Sequence, residues 1–252
     1  MHFSPLDILN INLKAENIGI INDVFKHICL NFRYLILDRN NKAFAIASPT
    51  KGEGKSAISL NMAQALANDH QKVILIDTDF HIPRISRTIN NNEQAGLSEI
   101  LSGQIEIDDC IQKIEPNNFD FIPSGKRPPN IPRMINSKAF KDFIREMKSR
   151  YDIVLFDTPA TLLVTETSYL YSHLDGVILT VKILKTNYSD VRKMIRRMIT
   201  TNTEILGAIV NGSRNSIFDK EFGEYGSYYY KNKYSYYTDK KPSLVSRITS
   251  QI

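Results

Sequence analysis

The chain of 252 residues carries 32 Lys and Arg against 27 Asp and Glu, a net charge of +5, and only two cysteines, Cys29 and Cys110. So small an excess leaves no dominating basic face, and nucleic acid is not an expected partner. Two cysteines are too few for a disulfide framework or a metal site, and no apolar run approaches the roughly 20 residues that span a bilayer.

In chain order, residues 1–15 read as irregular, and Met1 to Asp7 lack the charged-then-apolar arrangement of a secretory leader. A helix is predicted over 18–35, where Ile21, Val24, Phe25, Ile28 and Phe32 recur at helical spacing. The polar run 38–42 turns into a buried strand over 44–47, and the loop 48–56 then opens onto a helix reaching Asn68. An apolar strand over 73–77 ends in two carboxylates, Asp77 and Asp79. A loop with Pro83 and a polar turn over 90–93 lead to short helices over 96–102 and 107–112. Residues 119–122 form a strand, and Ser137 caps a helix to Arg150 whose Phe140, Phe143, Ile144 and Met147 share one face. Residues 154–157 repeat the apolar strand ending in a carboxylate, and strands over 176–181 and 205–210 bracket a helix over 188–200. This alternation predicts one α/β core, a mostly parallel sheet covered by helices on both faces.

The loop after the first strand carries the strongest chemical signal. Gly52 and Gly54 let the backbone turn its N–H groups inward, where they can cradle phosphate oxygens at the positive end of the following helix. Lys55 then reaches the β and γ phosphates and Ser56 ligates Mg²⁺. Pro49 occupies the first glycine position of the general pattern, while the core Gly-x-Gly-Lys-Ser is kept. Lys51, Gly52, Glu53, Gly54, Lys55, Ser56 and Ala57 are the candidate nucleotide-binding set. Ligands of parallel sheets sit beyond the carboxyl ends of the strands, which brings Asp77, Asp79 and Asp157 to this loop. Asp157 is expected to hold Mg²⁺ or its water, with Asp77 and Asp79 near the γ phosphate. The plainer alternative is an Asp that only caps the turn after its strand.

These motifs resemble those of the bacterial tyrosine kinases of capsule and exopolysaccharide biosynthesis, in their stand-alone cytoplasmic form. On that resemblance residues 48–56 are a Walker A loop, 74–79 a Walker A′ motif and 154–159 a Walker B motif. The likeness extends to 96–103, to 122–125 with 128–130, and to 207–211, so it covers most of 40–237. It implies a P-loop NTPase three-layer sandwich using ATP and Mg²⁺, with Lys55, Asp77 and Asp79 catalytic and Ser56, Asp79 and Asp157 at the metal. Asp77 is the favoured proton acceptor by resemblance. Asn211 corresponds to the family's adenine-contacting asparagine, and reads equally well as a strand-end turn residue. The implied division is an N-terminal extension with a subunit-contact helix over 1–40, a kinase domain over 41–218 and a flexible tail over 219–252.

Seven of the twelve tyrosines fall in that tail: Tyr225, Tyr228, Tyr229, Tyr230, Tyr234, Tyr236 and Tyr237. Gly, Ser, Lys and Asn fill the gaps, which gives neither helical nor strand periodicity. With lysines interleaved, the composition also suits a sticky or base-stacking segment. The resemblance implies instead an autophosphorylation cluster, offered to a neighbouring subunit of a homo-oligomer. Each phosphate adds nearly two negative charges, and their repulsion offers a route to subunit separation. The resemblance further implies a separate transmembrane chain-length regulator as activator, recruitment to the inner face of the plasma membrane through it, and a cognate tyrosine phosphatase.

The chain departs from the family at several positions. His81 stands where an arginine is usual, with Arg84 as a possible substitute one turn on. The subunit-contact pattern Glu-x-x-Arg-x-x-Arg becomes Asp23, Lys26 and Cys29. Partition ATPases carry their signature lysine where this chain has Thr50, with Lys51 following. Two other functions stay open: a partition or septum-site type ATPase, and a nucleotide-binding regulator without catalysis.

Overall fold

The computed structural model describes residues 15–37, 41–89, 95–116 and 118–212. Of the described residues, those up to Asn211 belong to one compact unit, and Gly212 alone falls in a second. The expectations placed on residues 1–14, on the turns at 38–40 and 90–93, and on the seven tail tyrosines lie outside the described residues.

Seven strands build the first unit: β1 (Ala43–Ala47), β2 (Val73–Asp77), β3 (Gln112–Ile114), β4 (Phe119–Ile122), β5 (Ile153–Asp157), β6 (Gly176–Lys182) and β7 (Ile205–Asn211). They lie side by side in the order β3-β4-β2-β5-β1-β6-β7, and every pair is parallel except β3 with β4. Continuous apolar runs become the central strands because both of their faces are buried: every residue of β1, β2 and β5 is inside.

Nine helices among the described residues cover the two faces: α1 (Ala15–Ile36), α2 (Lys55–Asn68), α3 (Arg84–Ile89), α4 (Leu97–Leu101), α5 (Ile107–Cys110), α6 (Ile131–Ile135), α7 (Lys138–Arg150), α8 (Glu166–Tyr171) and α9 (Tyr188–Thr200). On one face Phe44, Ile46, Leu75 and Leu155 pack with Phe32 of α1, Leu60 and Met62 of α2 and Ile85 of α3. On the other, Ala45, Ile76, Phe156 and Leu179 pack with α4, α6, α7, α8 and α9 through residues such as Leu97, Ile131, Phe140, Tyr171 and Met194. The result is a three-layer sandwich, as the alternation of elements predicts.

Several boundaries differ from the sequence reading. The helix expected over 107–112 stops at Cys110, and Gln112–Ile114 runs antiparallel beside β4 as an edge strand. Three residues leave no readable period, so pairing across the turn decides their state. Helix α3 fills the loop after Pro83, where the Pro83 carbonyl accepts from Arg87 N–H at 3.0 Å. Two short helices, α6 and α8, were also not predicted. Ser137 caps α7 as expected, its hydroxyl accepting from Phe140 N–H at 3.2 Å. Both cysteines are buried free thiols.

The altered subunit-contact pattern on α1 splits in two. Asp23 and Lys26 form an exposed ion pair at 3.8 Å, whereas Cys29 is turned inward with its Sγ 3.8 Å from the Met62 carbonyl. The third position of the pattern therefore belongs to the core in this chain.

Phe32 meets Phe44 edge-on at 4.8 Å between ring centres, and Phe44 is fully buried in the central strand. Phe44→Ala is expected to lose about 3–5 kcal/mol of folding stability, read as a lower urea midpoint with unchanged slope. A loss below 1 kcal/mol would show that α1 is not held to the sheet by this contact.

Candidate active site

β1 delivers its carboxyl end to the loop 48–54 between its two neighbours, β5 and β6. The chain then enters α2 through Gly54, which has φ 98° and is the residue before the first helical turn. Gly52 also has a positive φ of 74°. A positive φ makes a side chain strained at both positions, and an added Cβ would crowd the Asn211 amide at Gly54 and the Lys185 ammonium at Gly52. The loop is held from inside as well. Ser48 hydroxyl donates to the Thr50 carbonyl at 2.8 Å, and Thr50 hydroxyl to Glu53 Oε1 at 2.6 Å.

The lysine and serine that end the loop point to the strand tips. Lys55 is buried and donates through Nζ to Ser48 Oγ at 2.9 Å. Burial lowers its proton affinity, and the charges of Asp157, Asp79 and Glu53 oppose that shift. Ser56 donates to Asp157 Oδ2 at 2.7 Å, and Ser59 donates to Asp157 Oδ1 at 2.9 Å. Asp157 is thus gripped by two hydroxyls from the first turns of α2.

β2 and β5 pair with Asp77 directly beside Asp157. Two buried carboxylates side by side cannot both ionise cheaply. Burial, and then the Asp157 charge, push the Asp77 pKa up to about 8, against hydrogen bonds from Ser86 and Asp79. Burial raises Asp157 to about 6, with Lys55, Ser56 and Ser59 pulling the other way. Asp77 accepts from Asp79 N–H at 3.0 Å and from Ser86 through both N–H at 3.0 Å and hydroxyl at 2.7 Å. Asp79, half-buried, uses Oδ1 for His81 N–H at 3.1 Å and Ile82 N–H at 2.9 Å.

These oxygens suit a hard divalent cation: the Ser56 hydroxyl and the carboxylates of Asp157 and Asp79. Among the described residues no three His, Cys, Asp or Glu side chains converge to form a metal cage. Mg²⁺ takes one or two protein oxygens and fills its shell with phosphate and water.

The structure brings together Lys55, Ser56, Asp77 and Asp157, with Asp79 beside them and Gly52, Glu53, Gly54 and Ala57 in the surrounding loop and first turn. Lys51 is exposed on the loop. Asn211 donates through its amide to the Glu53 carbonyl at 2.9 Å, so it buttresses the loop from β7. His81 does not face the phosphate loop through an ion pair; its Nε2 is tied to the Glu166 carboxylate of α8. Arg84 stands exposed at the start of α3, near enough to Lys55 to lower its proton affinity. Sequence reasoning missed Ser48, Ser59, Ser86 and Glu166. Ser59 lies one turn beyond Lys55 and could have been found from that spacing; the others carry no local signal.

The segments over 96–103 and 122–125 lock onto each other. Leu97 N–H donates to the Pro123 carbonyl at 2.8 Å and Ser98 N–H to the Ser124 carbonyl at 3.1 Å, while Glu99 Oε2 accepts from Gly96 N–H at 2.9 Å. Ser124 N–H in turn donates to the Ser86 hydroxyl at 3.0 Å, so this pair of loops braces the group that holds Asp77.

An AAA domain family model matches residues 41–208. The chain is 30% identical over 218 residues to the tyrosine-protein kinase YwqD of Bacillus subtilis, covering 86% of this chain and 92% of that one. It belongs to the bacterial tyrosine kinase family. Other members are longer: the wzc tyrosine-protein kinase of Salmonella typhi is 29% identical over 84% of this chain, which spans 28% of its length. Among solved structures, the kinase domain of the Escherichia coli tyrosine kinase ETK superposes with a TM-score of 0.75 at 24% identity, covering 84% of this chain and 80% of that one. The septum-site-determining protein MinD of Pyrococcus horikoshii, solved with Mg-ADP, shares the fold at TM-score 0.59 and 22% identity, over 70% and 72% of the two chains. Both likenesses show the P-loop NTPase fold that the tyrosine kinase family is built on.

The raised carboxylates give this site a pH signature. From about 4 the folded chain holds protons that the unfolded chain has released, on Asp157 up to about 6 and on Asp77 up to about 8, so their contribution to stability falls as pH rises through those values. Asp77→Asn removes part of that dependence. In urea titrations without Mg²⁺ or nucleotide, the stability of the variant relative to wild type is expected to improve from pH 5 to pH 8. A flat or opposite difference would show that Asp77 ionises normally.

Proposed function

We propose that this chain is an ATP-dependent protein-tyrosine kinase that autophosphorylates its C-terminal tyrosine cluster and regulates the making and export of a capsular or extracellular polysaccharide. The observation that carries the reading is the cluster of Lys55, Ser56, Asp77 and Asp157 at adjoining strand ends, in a chain whose relative YwqD is named a tyrosine-protein kinase.

Bound Mg²⁺ and ATP supply the γ-phosphoryl group and part of the charge neutralisation its transfer needs. The chain's own residues do the rest. Backbone N–H groups over 52–56, together with the start of α2, hold phosphate oxygens; Lys55 places a cation beside them; Ser56 and Asp157 offer oxygens to the metal, with Asp79 alongside. Tyrosine hydroxyl has a pKa near 10 and must lose its proton as it attacks. Asp77 is the proposed acceptor in its ionised form: burial makes it more basic than an ordinary carboxylate, and the proton it holds below about pH 8 must leave before it can take the one from tyrosine. Ser86 covers Asp77, so its release from that hydroxyl is part of admitting the substrate. Asn211 is proposed at the adenine, using its amide oxygen, since the amide nitrogen is engaged with Glu53.

By the same reading the phosphoryl group passes between copies of this chain in a homo-oligomer. A separate transmembrane chain-length regulator activates the kinase at the inner face of the plasma membrane, and a tyrosine phosphatase resets it. Among the described residues no helix is long and apolar enough to cross a membrane.

Incubation with ATP and Mg²⁺, with and without the cytoplasmic segment of such a regulator, followed by phosphotyrosine mapping, tests the reading. Lys55→Ala is expected to lower tyrosine phosphorylation by on the order of 10²–10³ while the fold persists. Replacing the seven tail tyrosines by Phe is expected to leave ATP binding intact and remove most of the signal. Phosphate release without tyrosine modification would instead identify an ATPase of the partition type.

A further inference from the structure

Lys185 belongs to none of the motifs above, yet its side chain is carried to the phosphate loop by a dedicated turn. β6 ends at Lys182, whose carbonyl accepts from Lys185 N–H at 3.1 Å and Thr186 N–H at 2.9 Å, while Lys182 N–H donates to the Thr186 hydroxyl at 2.7 Å. Ile183 N–H donates to the Asn211 carbonyl at 3.0 Å, which ties the turn to β7. Inside it Leu184 has a left-handed φ of 60° and is 95% exposed. A leucine buries nothing there and adopts a conformation that side chains disfavour. What the turn achieves is the placement of the next residue.

Lys185 is an exposed residue whose ammonium lies against Gly52, beside the place where a Cβ would stand. Among the described residues Lys185 makes no ion pair, although the neighbouring Glu53 is fully buried with Oε2 unpartnered. Acid already crowds this region: Asp157, Asp79 and Glu53 stand around Lys55, the buried cation of the loop. A polyphosphate entering such a site gains from a further positive charge at the loop's rim.

We propose that Lys185 is a second phosphate-binding cation of this site, acting from the β6 turn across Gly52 while Lys55 acts from within the loop. The proposal rests on the nucleotide reading of the loop. Its ligand class is a nucleoside triphosphate, gripped through the phosphates and not the base.

The test is calorimetric titration with Mg²⁺ and ATP, using Lys185→Ala, Lys185→Arg and Lys193→Ala. Lys193 pairs with Asp190 on the exposed side of α9 and controls for the loss of one charge. Lys185→Ala is expected to weaken ATP binding about tenfold, with a gap that narrows at high salt. Lys185→Arg keeps most of the affinity, and Lys193→Ala stays within about twofold of wild type. Tripolyphosphate, competed against a fluorescent nucleotide, is expected to show the same loss in Lys185→Ala. Equal ATP affinity in Lys185→Ala and wild type overturns the proposal while leaving the kinase reading intact, as does a loss for ATP without a loss for tripolyphosphate. Wild-type protein that takes up no ATP overturns the nucleotide reading itself.

Discussion

The register of β2 against β5 sets two buried carboxylates, Asp77 and Asp157, shoulder to shoulder. Everything near the phosphate loop is arranged around that unfavourable proximity. Hydroxyls from Ser56 and Ser59 hold one acid, Ser86 holds the other, and the Lys55 ammonium supplies the nearest full positive charge. A sheet shifted by one residue would point one of the two acids to the opposite face. Strand pairing over five buried residues thus fixes the chemistry as firmly as the identities of the side chains do.

The loop is the second half of the design, and it is assembled from contacts far apart in sequence. Gly54 makes room for Asn211 and Gly52 makes room for Lys185, so the two glycines serve both the backbone turn and the approach of neighbouring strands. Behind β5, Thr158 and Thr161 meet the Tyr171 hydroxyl at 3.2 and 2.9 Å, and Arg197 of α9 donates to the carbonyls of Thr161 and Val164. Thr161 N–H donates to the Ser48 carbonyl at 2.9 Å. The Walker B turn is therefore braced against the Walker A turn by buried and part-buried polar contacts.

Much of this was legible in the residues themselves. The strands over 44–47, 73–77 and 154–157 are readable because burial on both faces forces unbroken apolar runs, and α7 because its buried face recurs at helical spacing. The phosphate loop is readable because its glycines and lysine answer local needs. Short elements such as β3, α6 and α8 were not, since three to six residues hold too little periodicity to oppose tertiary pairing. The partners of the acids were missed for another reason. Ser86 reaches Asp77 only through a helix in a stretch that reads as a loop, and Glu166 meets His81 across 85 residues of chain.

The distribution of tyrosines over the folded body has a consequence for how a phosphorylation map is to be understood. Tyr151 and Tyr171 are buried, whereas Tyr34, Tyr169 and Tyr188 are 68%, 45% and 77% exposed on α1, α8 and α9. A phenol fixed on a rigid helix keeps a constant separation from the catalytic centre of its own molecule. A phosphate found at any of those three positions would consequently mark a phenol that was reached with its helix in place, at the distance the fold sets.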